Sequence, residues 1–192
     1  MHSKEFFQNR CWGACFVLYW NMLMGCGISL RPAHPFGLGE SIVPIDGVDQ
    51  PQIIGIDSGL RLRKLEEDFD FALAWYQDAG TVWLVDGDRT PYTMERLCRM
   101  YAYLAQRGEV YFIEVRENGA FRPIGDVAFC QADMPIVIGE QIYRGRGIGG
   151  KVIGALVERG RALGYRELFV REVYAYNTAS RACFENGFES FG

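Results

Sequence analysis

A nine-residue stretch at positions 143–151, YRGRGIGGK, contains glycines at spacings that bind phosphate groups. Gly145, Gly147 and Gly150 have the G-x-G-x-x-G spacing of dinucleotide-binding loops. Gly145, Gly150 and Lys151 have the G-x-x-x-x-G-K spacing of ATP-binding loops. Both loops hold a phosphate with backbone N–H groups at the start of a helix. The stretch therefore predicts a phosphate-containing ligand, and other residues must identify it.

The residues that follow weaken both of these interpretations. An ATP-binding loop needs a hydroxyl directly after its lysine as a magnesium ligand, and Val152 occupies that position. A dinucleotide-binding domain needs several strand–helix units after its glycines, and residues 151–192 have room for one strand and one helix. A third spacing, R-x-x-G-x-G at Arg144, Gly147 and Gly149, is not affected by either objection.

Hydrophobic periodicity predicts the elements that must position this stretch. Leu60 and Leu62 alternate with basic residues as in a half-buried strand. Met94, Leu97 and Tyr101 recur at helical spacing. By such patterns the sequence predicts strands at 60–65, 109–116, 124–130, 136–143 and 167–174, and helices at 66–77, 94–104, 152–163 and 178–185, the last ending at the Asn-Gly pair 186–187. The order indicates an α/β (α+β) domain with a mixed, mostly antiparallel central sheet flanked by helices.

Residues 1–58 are predicted to be an N-terminal extension of a domain formed by residues 59–192. The apolar stretch 11–28 is short for a membrane span, which needs ~20 residues. It contains a faint lipoprotein-signal pattern, but we expect an apolar helix that packs on the domain or on a second subunit. Two short apolar runs, 41–45 and 52–56, could pair as a hairpin.

Composition excludes several classes of protein. With 49% apolar and 23% charged residues, the chain is expected to form a globular core. A net charge of −4 without a long basic run argues against nucleic acid as the main partner. The six cysteines form no C-x-x-C pair, and only two histidines are present, so neither a metal site nor a disulfide framework is expected. Reduced, buried thiols and a cytoplasmic location are expected instead.

Two motifs together resemble one known family. R-x-x-G-x-G between a strand and a helix resembles the acyl-CoA-binding motif, [Q/R]-x-x-G-x-[G/A], of the GNAT superfamily of N-acetyltransferases. Downstream, Asn177 and Ser180 match its N-x-x-[A/S] motif, with Phe184 as the aromatic residue seven positions after the asparagine and a Gly-Phe pair at 187–188. The element order over 60–188 also resembles the family. The text is closest to the branch of ribosomal-protein N-terminal and polyamine acetyltransferases.

The resemblance implies acetyl-CoA as cosubstrate and assigns residues to it. It implies that a pyrophosphate is held by Arg144, Gly145, Arg146, Gly147, Ile148, Gly149 and Gly150. It implies that the backbones of Val137, Ile138 and Gly139 pair with pantetheine, and that Asn177, Ser180 and Phe184 contribute further contacts. Simpler interpretations stay open, because the first three could be core strand residues and Asn177 could be a helix N-cap.

The reaction implied is direct attack of an amine on the acetyl thioester. Two carboxylates are candidate bases: Glu172, which precedes Asn177 on a strand, and Asp133, at the start of the strand before the glycines. We favour Glu172. The tyrosine that usually protonates the thiolate is replaced by Phe184, which has no proton to give, and Tyr174 and Tyr176 are nearby in sequence.

The remaining expectations concern partners. The acceptor is an amine, either a small molecule or a protein N-terminus, with no nucleic acid, no membrane and no metal, and a homodimer could form. Residues 66–108 are rich in aspartate and aromatic residues that could hold a cationic amine. The family usually has further C-terminal strands, so we expect the 41–56 hairpin to lie beside strand 167–174. Alternatives are a non-catalytic acyl-CoA sensor and, more distantly, a dinucleotide-dependent enzyme.

Overall fold

The computed structural model of the chain describes residues 14–20, 28–32 and 47–189. In chain order its strands are β1 (Ala14–Trp20), β2 (Ile28–Pro32), β3 (Ile53–Asp57), β4 (Leu60–Lys64), β5 (Glu109–Glu117), β6 (Ala120–Phe129), β7 (Ile136–Ile138) and β8 (Glu167–Val173). Its helices are α1 (Leu73–Gln77), α2 (Ala79–Asp86), α3 (Met94–Ala105), α4 (Ile148–Ala162) and α5 (Thr178–Glu189). The predicted α/β architecture is confirmed.

The strands form two sheets. The larger has the order β3-β4-β5-β6-β7 and the smaller the order β2-β1-β8, with antiparallel pairing throughout. The tight turn between β5 and β6 places Asn118 and Gly119 at φ of 49° and 85°, a left-handed conformation that an Asn-Gly pair adopts readily. Each strand of the larger sheet lies beside its neighbour in sequence, although residues 65–108, which contain α1, α2 and α3, separate β4 from β5.

The larger sheet is covered by helices on both faces. On one face, helix side chains pack against alternate residues of the central strands. These helix side chains include Ile153 and Leu156 of α4 and Phe184 of α5. On the other face, α1, α2 and α3 pack against Phe112, Val110 and Val137. Successive side chains of a strand point to opposite faces of the sheet, so the strands contribute to two separate apolar cores.

A buried ion pair orients α4 on the sheet. The Arg159 guanidinium donates to Glu109 at 2.6 Å, and the hydroxyl of Tyr111 donates to the same carboxylate at 2.6 Å. Both charged side chains are mostly buried, with 16% and 5% of their surface exposed. Removing one partner of such a pair leaves a buried charge uncompensated, so the pair restricts how α4 can lie.

β7 and β8 belong to different sheets and share no ladder. They are linked through the chain before β7, where the backbone N–H of Phe169 donates to the carbonyl of Gln131 at 2.8 Å. Beyond that bond, the edge of β7 that faces away from β6 is left without a strand partner among the described residues. We call the space between this edge of β7 and β8 the β7–β8 slot.

The N-terminal region departs from expectation. A strand, β1, lies within the stretch 11–28 where a helix was predicted, and it pairs with β8. Residues 52–56 do not lie beside β8; β3 covers this region and pairs with β4. The other half of the expected hairpin, 41–45, lies outside the described residues. The outer edge of β8 needs a hydrogen-bonding partner, and the β-branched and aromatic residues of β1 suit a strand. The domain division at residue 59 stays a prediction.

Some element boundaries also differ. The helix predicted at 66–77 is instead a short 3₁₀ turn followed by α1. Asp78 has an extended backbone, which ends α1. Its side chain accepts from the Thr81 N–H at 2.8 Å and so caps an additional helix, α2. β7 ends at Ile138 instead of 143 because a 3₁₀ turn, Gln141–Tyr143, follows it. α5 continues through the Asn-Gly pair at 186–187 to Glu189.

Candidate functional site

The glycine-rich stretch forms the connection between β7 and α4. Gly145 and Gly147 adopt left-handed backbone conformations, with φ of 71° and 74°. A Cβ atom built on either would meet no atom within 4 Å. Glycine is therefore favoured at these positions by backbone conformation rather than by crowding, and the space in front of both is open.

The first turn of α4 exposes hydrogen-bond donors to this space. Gly147 is the N-cap residue and offers no capping side chain, and the first intrahelical bond runs from the Lys151 N–H to the Gly147 carbonyl at 3.3 Å. Helix geometry leaves the N–H groups of Ile148, Gly149 and Gly150 without an intrahelical acceptor. A 15-residue helix also carries about half a positive charge at its N-terminus. These features suit a bound anion.

Three cationic residues of the stretch have different environments. The Arg144 guanidinium turns inward and donates to the Ile138 carbonyl at 2.8 Å, the Gly139 carbonyl at 3.0 Å and the Thr81 hydroxyl at 2.8 Å. Arg146 is exposed and lies 5.4 Å from the centre of the Tyr143 ring. Lys151 is also exposed and pairs with Asp57 at 2.8 Å. Arg144 is thus a structural link, and the other two flank the open loop.

Two glycines of the predicted site lie close to packed side chains. A Cβ at Gly139 would lie 2.2 Å from the Trp75 ring, and a Cβ at Gly149 would lie 2.6 Å from the Cys183 sulfur. Gly139 therefore allows α1 to approach the end of β7, and Gly149 allows α5 to approach α4. Neither role is visible in the motif, because the partner lies far away in sequence.

The ladder between β6 and β7 determines which backbone groups face the β7–β8 slot. The Val137 carbonyl points at β6, since a Cβ on Gly125 would lie 2.1 Å from it. Backbone groups alternate along a strand, so those of Ile138 point the opposite way. Arg144 donates to the Ile138 carbonyl and, just past the end of β7, to the Gly139 carbonyl. Within β7, Ile138 is thus the predicted ligand residue whose backbone points away from β6, and its carbonyl already accepts from Arg144.

The predicted downstream residues make contacts within the protein. The Asn177 side chain accepts from the Ser180 N–H at 3.0 Å, which caps α5, and donates to the Leu84 carbonyl at 3.1 Å. Phe184 is 2% exposed and packs in the core beneath α4. The helix-cap interpretation of Asn177 therefore describes its contacts here, and Phe184 is a core residue.

The two candidate bases lie on different elements. Asp133 is in the turn between β6 and β7, and its carboxylate accepts from the Met134 N–H at 2.9 Å. The whole of β7 separates it in sequence from the glycines. Glu172 is the penultimate residue of β8, and its side chain lies outside what the structure describes. Their roles stay predictions.

A buried carboxylate escaped the sequence analysis. Asp126 is 5% exposed and accepts hydrogen bonds from the hydroxyls of Tyr76 at 2.9 Å and Tyr101 at 2.8 Å. Burial raises the pKa of Asp126 from 3.8 to about 6, and the two phenol hydrogen bonds oppose this rise. Its signal in the sequence was one acid inside the apolar run IGDVAFC.

This pKa makes stability depend on pH. Because the pKa of Asp126 is higher in the folded chain, the folded state binds more protons than the unfolded state between the two values. The contribution of Asp126 to the free energy of unfolding is therefore fully present below pH 3.8 and is lost as pH rises through about 6. We expect the change Asp126→Asn to remove up to about 3 kcal/mol of pH dependence in the free energy of unfolding between pH 4 and 7.5.

Urea unfolding at both pH values measures this effect. Asp68→Asn, which changes an exposed aspartate, is the control and should keep the pH profile of the unchanged chain. Equal pH dependence of the Asp126→Asn variant and the unchanged chain would contradict the assignment.

The aspartates and aromatic residues of 66–108 contact one another. The Asp86 carboxylate accepts from Arg96 and from the Tyr92 hydroxyl, both at 2.8 Å. The Trp83 ring is faced by Arg89 at 5.2 Å. These groups already have cationic partners within the chain, so the contacts do not favour the cationic-amine interpretation.

Neither a metal site nor a membrane span is found among the described residues. In that part of the chain, no group of three or more histidine, cysteine, aspartate or glutamate side chains could hold a metal ion. No helix there is long and apolar enough to cross a membrane.

Known proteins resemble this chain in sequence and in fold. Residues 59–189 match the family model described as "Acetyltransferase (GNAT) domain". A crystal structure of a domain from Methanocaldococcus jannaschii DSM 2661 is similar in fold, with a TM-score of 0.55 and 21% identity over 68% of this chain and 87% of that chain. No curated protein matches the sequence.

Proposed function

The chain belongs to the GNAT acetyltransferase family, and we propose that it is an N-acetyltransferase that moves the acetyl group of acetyl-CoA to a primary amine. Acetyl-CoA supplies the activated acyl group as a thioester. The chain's part is to hold the cosubstrate, to orient the amine beside it, and to accept a proton from the amine.

The observation that carries this proposal is the uncapped start of α4. Open space lies in front of two left-handed glycines, Gly145 and Gly147, and three N–H groups lack intrahelical acceptors. A pyrophosphate fits this site because it is anionic and accepts several hydrogen bonds. Arg146 flanks the loop and adds positive charge, and Lys151, which pairs with Asp57, lies at the first turn of α4.

The β7–β8 slot suits the pantetheine arm. Pantetheine contains two amides and can pair with a strand edge as an added strand would. The backbone of Ile138 points away from β6, with its carbonyl bonded to Arg144, and the glycine-rich loop follows β7 after one 3₁₀ turn. An arm that begins at the loop would enter the slot along that edge.

For proton transfer we propose Glu172 as the base, with Asp133 as the alternative. Phe184 is buried and has no proton to give. The hydroxyls of Tyr174 and Tyr176 donate to backbone carbonyls of α2. Water is therefore the proposed proton source for the departing CoA thiolate.

The test is turnover of acetyl-CoA with a panel of primary amines and protein N-termini, and the release of free CoA thiol measures the turnover. The proposal expects thiol release that depends on the amine, with formation of an acetylated product. Binding of CoA with no turnover for any amine would favour an acyl-CoA sensor, a candidate supported by Phe184 in the place of the usual tyrosine. Binding of NADH without binding of CoA would overturn both.

Finer assignments are also proposals. The ribosomal-protein N-terminal and polyamine branch, a cytoplasmic location and a homodimer rest on the sequence resemblance and composition alone. Products identified from the amine panel would distinguish an N-terminal from a small-molecule acceptor.

A further inference from the structure

The width of the β7–β8 slot is not set by sheet pairing. The two strands lie in separate sheets, and the bond from Phe169 to Gln131 joins them through the chain before β7. The end of β7 next to the glycines needs another element to fix its distance from β8. Helix α2 contacts both sides.

The first turn of α2 is tied to the end of β7. The Thr81 hydroxyl accepts from Arg144 at 2.8 Å and donates to the Asp78 carboxylate at 2.7 Å. Arg144 also holds the Ile138 and Gly139 carbonyls. Thr81 is 2% exposed, so water does not replace these bonds easily.

The last turn of α2 is tied to the chain that follows β8. Three side chains donate to its carbonyls: Tyr176 to Trp83 at 2.9 Å, Asn177 to Leu84 at 3.1 Å, and Tyr174 to Asp86 at 3.1 Å. The aromatic rings of Trp83, Tyr176 and Tyr174 stack in sequence, with centres 4.8 and 5.1 Å apart. Rings and hydrogen bonds together hold this turn.

We infer that α2 is a cross-brace that sets the width of the β7–β8 slot, with Thr81 and Arg144 as positioning residues on the β7 side and Tyr174, Tyr176 and Asn177 on the β8 side. The inference rests on the proposed function, because the slot is where pantetheine is proposed to lie. It predicts that loosening α2 weakens binding of the pantetheine arm and leaves the phosphate loop intact.

Two ligands separate the arm from the loop. CoA contains both parts, and adenosine 3′-phosphate 5′-diphosphate contains the nucleotide and pyrophosphate without pantetheine. Thr81→Val keeps the side-chain shape and removes the hydroxyl, and Thr81→Ser keeps the hydroxyl. We expect Thr81→Val to weaken CoA binding about tenfold and to leave nucleotide binding unchanged, with Thr81→Ser like the unchanged chain for both ligands.

A second variant tests the other side of the brace. Tyr174→Phe/Tyr176→Phe removes two hydroxyls and retains the rings, so it should fold and show the same selective loss of CoA binding. Tyr103→Phe, an exposed tyrosine on α3, is the matched control and should bind both ligands normally. Calorimetric titration measures all affinities, and thermal unfolding confirms folded protein.

The outcomes are distinguishable. Equal loss of affinity for both ligands, or no loss of affinity for CoA in either variant, would overturn the cross-brace. Either result would leave the proposed function standing. Binding of neither ligand by the unchanged chain would overturn the proposed function and this inference with it.

Discussion

Replacing Gly147 by aspartate should lower the affinity for CoA at least about 100-fold. Gly147 caps α4 at φ 74° with open space before it, and the loop is proposed to hold a pyrophosphate there. A carboxylate at this position would lie close to the phosphates, and two unit charges about 5 Å apart at an effective dielectric of about 20 repel by about 3 kcal/mol. The same charge would interact favourably with the helix, so the loss of binding would not come from unfolding.

Gly147→Asn is the matched control for this change. Asparagine has nearly the shape of aspartate and tolerates the left-handed conformation about as well, without the charge. Calorimetric titration with CoA should therefore show a much smaller loss for Gly147→Asn than for Gly147→Asp. Equal losses for both variants would indicate that shape, rather than an anion, determines binding at this loop.

Replacing Glu172 by glutamine should reduce kcat at least about 100-fold if Glu172 is the base, since positioned bases contribute about 100- to 10,000-fold. Glutamine keeps the size of the side chain and cannot take a proton at neutral pH. Because CoA binding is assigned to other residues, the affinity for CoA should be unchanged. Initial rates with the acceptor found in the amine panel, together with CoA titration, measure both quantities.

Asp133→Asn tests the alternative base in the same assays. If Glu172 is the base, this change should leave kcat within a few-fold of the unchanged chain. A large loss in Asp133→Asn with none in Glu172→Gln would move the assignment to Asp133. Normal rates in both variants would remove a carboxylate base from the mechanism.

The parts of the site that could be predicted from the sequence depend on local conformation. Gly145 and Gly147 are needed for left-handed backbone in a short connection, and the apolar stripe after them specifies α4. The motif spacing and the helix period carry this information within about 20 residues. The β5–β6 turn is local in the same sense, because its Asn-Gly pair at 118–119 suits the left-handed backbone found there.

The parts that could not be predicted depend on partners distant in sequence. Gly139 and Gly149 resemble ligand-binding glycines, but the structure shows that each also admits a packed side chain, Trp75 and Cys183. Arg144 suggested a phosphate contact, whereas its donors reach the end of β7 and Thr81. Nothing in the local pattern at 144 identifies a hydroxyl 63 positions earlier.

The error at the N-terminus has a similar cause. The stretch 11–28 is apolar throughout much of its length, and such a run is compatible with a buried helix or a buried strand. The pairing of β1 with β8 decides between them, and that pairing depends on an edge formed by residues 167–173. Periodicity within the stretch does not contain this information.

The first turn of α4 is proposed to bind the pyrophosphate of coenzyme A. Amide NMR spectra of the ¹⁵N-labelled chain during titration with CoA test it most directly. We expect saturable shifts of the Ile148, Gly149 and Gly150 N–H signals, because hydrogen bonding to an anion deshields an amide proton. Unchanged signals for these three amides at saturating CoA would contradict it, as would shifts produced by NADH or ATP but not by CoA.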